Sequence, residues 1–133
     1  MKIEKVDHIG ISVKNMDTTL KYYTDNLGVK KSDIIDQMVP GRMRMATIKL
    51  AGANLELVQY LDNADVLCKY ADAKADAIHH VAIYVDNIEE ALNTVKKTGG
   101  VLVHEKPMKL PSGLKVAFAL PKDSKVMIEF MEA

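Results

Sequence analysis

Four residues have the types and spacing that metal chemistry uses. His8 and His80 stand 72 positions apart, and Glu56 and Glu129 stand 73 apart. Imidazole nitrogens and carboxylate oxygens are the donors that divalent transition metals accept from proteins. Each histidine sits in a stretch of period-two character. In VDHIGISV, Ile9, Ile11 and Val13 share one strand face, and His8, Gly10 and Ser12 share the other. In HHVAIYV, Val81, Ile83 and Val85 oppose His80, Ala82 and Tyr84. The small neighbours Gly10, Ser12 and Ala82 leave room beside the histidines. Each glutamate is flanked by apolar residues that face the other way, Leu55 and Leu57 around Glu56, Ile128 and Phe130 around Glu129. A carboxylate so placed needs a partner, because an unpaired buried charge is costly. One histidine alone reads most simply as a satisfied core residue. Two His and two Glu recurring in near register fit one divalent metal with nitrogen and oxygen ligands.

The elements that must position these residues form a repeat. With the chain slid on itself by 72 positions, His8 falls on His80, Val13 on Val85, Asn15 on Asn87, Leu20 on Leu92 and Gly28 on Gly100. Each copy opens with the histidine-bearing strand. A helix follows, with Asn15 or Asn87 as N-cap and Glu90 completing an N-x-x-E capping box. Met16, Leu20, Tyr23 and Leu27 make one helical stripe, and Ile88, Leu92 and Val95 the other. Gly28 and Gly99-Gly100 read as helix stops. Short apolar runs divided by Pro-Gly and Ser-Gly signals then read as strands and hairpins, with VLVHEKP among the strands. The expectation is an α+β chain: one domain over 1–133, with a β-α-β-β-β module over 5–61, a linker over 62–77 and a second module over 78–131.

Composition narrows the function classes. The 133 residues carry 18 basic and 18 acidic side chains, so net charge is zero, and no basic stripe suggests a nucleic-acid partner. No segment approaches the ~20 apolar residues of a membrane span, and no signal peptide is evident. The single cysteine, Cys68, permits no intrachain disulfide. A cytoplasmic location is expected.

VDHIGISVKN, HHVAIYVDNIEEAL, KVAFALP and MIEF resemble the vicinal oxygen chelate superfamily (glyoxalase, bleomycin resistance protein, dioxygenase), and within it the methylmalonyl-CoA epimerases most. The resemblance covers roughly residues 5 to 131. It implies paired modules in a cupped mixed sheet around one divalent ion (Ni, Co, Zn or Mn). It places the ligands at His8, Glu56, His80 and Glu129; strand alternation turns the adjacent His79 away, into a structural role. It also implies a homodimer. The implied chemistry is removal of a proton beside a carbonyl, with the metal stabilising the enolate. Glu129 and Glu56 are the candidate bases, and the substrate is a small acyl or keto compound, such as an acyl-CoA.

Other branches of the superfamily give alternatives. Lactoylglutathione lyases of the bacterial type often carry an arginine four residues after the first histidine, where this chain has Ser12. Some epimerases place a second base on the strand that here reads RMRMATIKL, which has no carboxylate. A metal-free drug-binding resistance protein would need no ligand set. An extradiol dioxygenase uses two His and one carboxylate on iron. Arg44, Tyr60 and Tyr84 are candidate substrate-binding residues. Arg44 and Arg42 could equally be solvated turn charges, and the tyrosines packing residues.

Overall fold

A computed structural model describes residues 1–62, 66–69 and 76–133. In chain order the elements are β1 (Ile3–Ser12), α1 (Met16–Asn26), β2 (Ile34–Val39), β3 (Met43–Ile48), β4 (Asn54–Tyr60), β5 (Ala77–Val85), α2 (Ile88–Lys97), β6 (Val101–Leu102), β7 (Met108–Lys109), β8 (Lys115–Leu120) and β9 (Met127–Glu132). The strand–helix–strands order thus occurs twice. Of the expected linker 62–77, residues 63–65 and 70–75 lie outside the described residues, and Val66–Lys69 form a 3-10 turn.

The chain divides into two compact units, Met1–His8 with His80–Ala133, and Ile9–His79. In the first, β5 pairs with β9 in parallel, β9 with β8 antiparallel, and β8 with both β6 and β7 antiparallel, so the sheet is mixed. The start of β1 belongs here: Lys2 N–H donates to Asp86 Oδ1 at 2.7 Å, and Asp86 N–H donates to the Lys2 carbonyl at 3.1 Å. The apolar stripe of α2 (Ile88, Ala91, Leu92, Val95) packs on Val85, Ala117, Ala119 and Phe130. Alternation along β5 and β9 therefore turns Ile83, Val85, Ile128 and Phe130 to the helix and leaves His80, Ala82 and Glu129 on the opposite face.

In the second unit, β2, β3 and β4 form an antiparallel meander. Val13, Met16, Ala46, Ile48 and Leu57 are its buried core, with Ile11, Leu20 and Tyr23 packed against them.

Local signals explain the helix ends. Asn15 and Asn87 side chains accept from the amides of Thr18 and Glu90, each at 3.0 Å. Gly28 and Gly99 take positive φ, +68° and +86°, where each helix stops. Three expectations are corrected. Glu90 does not close a capping box; its carboxylate pairs with the Met1 ammonium at 3.0 Å. Leu27 is exposed, because its position at the end of α1 lies beyond the packed stripe. VLVHEKP forms strand only at Val101–Leu102. There the amides of Val103 and His104 both donate to the Phe118 carbonyl, and His104 Nδ1 accepts the Phe118 N–H at 3.1 Å. A side chain has taken the bond that the next ladder rung would use.

Candidate metal site

His8, His80 and Glu129 converge within the first unit. All three are buried. His8 comes from β1, His80 from β5 and Glu129 from β9. Parallel pairing sets Ala82 beside Glu129, and antiparallel pairing sets Phe118 of β8 on Glu129's other side. The missing bulk at Ala82 leaves His80 and Glu129 space to meet. The Phe118 ring lies edge-on to the His80 imidazole, with centroids 5.1 Å apart. The His8 and His80 rings are also edge-on, at 5.1 Å.

Three donor atoms form a small triangle. His8 Nε2 and His80 Nε2 are 3.0 Å apart. Glu129 Oε2 lies 3.2 Å from the first and 3.3 Å from the second. The geometry fits a shared cation. Two donors about 2.1 Å from one ion sit about 3.0 Å apart at a right angle and about 3.4 Å apart at the tetrahedral angle. Burial pushes the Glu129 carboxyl up, but hydrogen bonds from His8 and His80 outweigh it and bring it down to about 2. Glu129 is therefore an anion in a dry site, the state a metal ligand requires. Among the described residues, this is the cluster of His, Cys, Asp and Glu whose donors could hold an ion.

The other site residues are placed as follows. Glu56 lies in the second unit, on β4 opposite Thr47 of β3. Tyr60 hydrogen-bonds to Nε2 of buried His79, so His79 has a partner of its own, as a structural residue should. Arg44 holds Asp36 through two bonds, at 3.0 and 2.7 Å, and Asp17 at 2.8 Å. Tyr84 carries Lys5 Nζ 4.6 Å above its ring. Burial, then the charges of Asp7 and Glu129, raise its hydroxyl pKa. Ser12 is buried and donates to the Ala77 carbonyl at 3.3 Å.

Two neighbours of the triangle escape sequence reasoning. Asp7 Oδ2 accepts from His8 Nδ1 at 2.8 Å. Strand alternation assigns adjacent residues to opposite faces, so the DH pair gave no such signal. Phe118 reads as an ordinary core residue until the β8–β9 register is known.

Comparison with known proteins agrees with this architecture. A model of the glyoxalase/bleomycin resistance protein/dioxygenase superfamily matches residues 7–118. The mitochondrial methylmalonyl-CoA epimerase of Mus musculus is 26% identical, covering 99% of this chain and 75% of its own. A crystal structure of methylmalonyl-CoA epimerase from Mycobacterium tuberculosis superposes with a TM-score of 0.72 at 26% identity, covering 98% of this chain and 88% of that one. A hypothetical protein from Bacillus halodurans C-125 superposes with a TM-score of 0.75 at 30% identity, covering 97% and 94%.

Proposed function

The chain belongs to the glyoxalase/bleomycin resistance protein/dioxygenase superfamily, and from that membership we propose that it is a divalent-metal-dependent enzyme that labilises the proton beside the carbonyl of a small acyl or keto substrate. The observation that carries the proposal is the buried triangle of His8 Nε2, His80 Nε2 and Glu129 Oε2. Those three residues would hold the ion, with Glu56 a proposed fourth ligand from its repeat position. A divalent ion bound there supplies Lewis acidity, which lowers the cost of negative charge on the carbonyl oxygen as an enolate develops. The chain's own part is to hold that centre away from water, with Phe118 against His80 and Ala82 beside Glu129, and to take up the substrate proton on a carboxylate.

The substrate class follows the named relatives: an acyl-CoA thioester such as methylmalonyl-CoA, with epimerisation as the reaction. Inversion needs proton transfer on both faces of the carbon. Since β3 carries no carboxylate, Glu129 and Glu56 are the two acids available to the proposal. The glutathione substrate of the lyase branch is disfavoured, because the place of a carboxylate-binding arginine is filled by buried Ser12.

The test is solvent-deuterium incorporation at the α-carbon of methylmalonyl-CoA by metal-loaded protein. Incorporation with inversion is expected. Glu129→Gln loses metal and both activities, whereas Glu56→Gln loses inversion first. Absence of incorporation by the wild-type protein, with metal bound, would sink the reading.

A second reading has one observation in its favour. Two histidines and one carboxylate on one face of an ion are also the ligand set of non-haem iron oxygenases. Oxygen uptake with a catechol and Fe(II), in place of deuterium exchange, is the result that would select it.

A further inference from the structure

We infer that Asp7 is the positioning residue of this site: its carboxylate fixes the tautomer of His8 and turns the lone pair of His8 Nε2 to the ion. The inference rests on the metal reading above and concerns a residue outside the ligand set. A carboxylate can only accept a hydrogen bond. The 2.8 Å contact between Asp7 Oδ2 and His8 Nδ1 therefore puts a proton on Nδ1. As His8 Nε2 gives up its proton to bind an ion, the neutral ring keeps its one N–H at Nδ1, and the Nε2 lone pair is directed into the space it shares with His80 Nε2 and Glu129 Oε2, 3.0 and 3.2 Å away. The negative charge behind the ring also makes Nε2 a stronger donor.

Asp7 suits the task by position. Its side chain is partly exposed, 28% against 8% for His8, so it reaches the ring from the solvent side while the ring it orients is dry. Its charge is felt by the Tyr84 hydroxyl, as is that of Glu129. The two copies of the repeat differ here. The residue preceding the second ligand histidine is His79, and its ring is committed to the Tyr60 hydroxyl. Position 7 thus carries a function that its repeat counterpart, position 79, does not share.

The test compares wild type, Asp7→Asn and Asp7→Leu in two readouts. The first is the dissociation constant for Co(II), followed by its visible absorption. The second is the 15N spectrum of the His8 ring in metal-free protein. Asp7→Asn keeps an acceptor but no charge, so His8 keeps its Nδ1–H tautomer while Co(II) binding weakens. Asp7→Leu removes both, so the ring populates both tautomers and affinity falls by about 10- to 100-fold. Circular dichroism and the thermal midpoint of each metal-free variant show whether it has folded; a purely structural role would change those and not the tautomer. Wild-type affinity and a single His8 tautomer in folded Asp7→Leu would overturn the inference and leave the metal reading standing. Wild-type protein that binds no Co(II) would overturn both.

Discussion

Glu129 is a residue on which burial and hydrogen bonding pull in opposite directions. Desolvation pushes its carboxyl up, yet the two imidazoles outweigh it and bring it down to about 2. Glu129→Gln keeps the volume and one acceptor oxygen but loses the charge. That variant should lose stoichiometric divalent binding, read by native mass spectrometry, with the fold retained. Retention of one ion per chain would show that the ligand lies elsewhere. His8, His80 and Glu129 were legible in the sequence because period-two alternation and the repeat both mark them. Asp7 was not, since its side chain reaches the neighbouring ring rather than following the face that alternation assigns. The partners of Tyr60 and Arg44, His79 for one and Asp36 with Asp17 for the other, were equally hidden. They depend on register and on contacts between distant elements.

At the scale of elements, the two ends of α2 make two predictions. The Ile88 amide in its first turn donates to Glu132 Oε2 at 2.7 Å, and Lys115 Nζ lies 2.9 Å from Glu132 Oε1. These bonds, the backbone one foremost, lower the Glu132 pKa. A carboxyl whose folded value is depressed adds stability above its unfolded value and loses it as pH falls through the folded one. Glu132→Gln should therefore be less stable than wild type at neutral pH, with the difference shrinking below the ordinary carboxylate range. Denaturant melts at neutral and acid pH check this, and a difference that grows on acidification would contradict it. At the other end, a β-carbon on Gly100 would stand 2.5 Å from Val95 Cγ1 and 2.8 Å from the Leu120 carbonyl. Gly100→Ala should cost about 1–3 kcal/mol from overpacking, whereas Gly52→Ala, with open space around it, should be nearly neutral. Equal midpoints for the two variants in urea would refute the packing argument. Both helix caps were readable as Asn at the right spacing. The end of β6 was not, because it depends on a histidine side chain replacing a backbone partner.

For the whole molecule, the repeat foretold two modules of one pattern, and two strand–helix–strands runs are present. Less legible was the company of the first eight residues. By the repeat they open copy one, yet they pack with copy two through the Lys2–Asp86 exchange and the Met1–Glu90 ion pair. Strand partnership is a long-range choice that no local period reports. Its consequence is that His8, from the start of the chain, meets His80 and Glu129, from its second half, inside one compact unit. Metal binding should then stabilise that unit as a ligand stabilises any folded state, by about 2.7 kcal/mol when free metal is 100 times its dissociation constant. Chelation should lower the thermal midpoint of the wild type and leave that of His80→Ala unchanged.

The most direct measurement is a titration of chelator-stripped protein with Zn(II), Co(II), Ni(II) and Mn(II), read as stoichiometry by native mass spectrometry, for wild type and His80→Ala. One ion per wild-type chain is expected for at least one of these metals, and none in the variant. No bound ion with any of the four, or equal binding by the variant, would contradict the claim that His8, His80 and Glu129 are a metal centre.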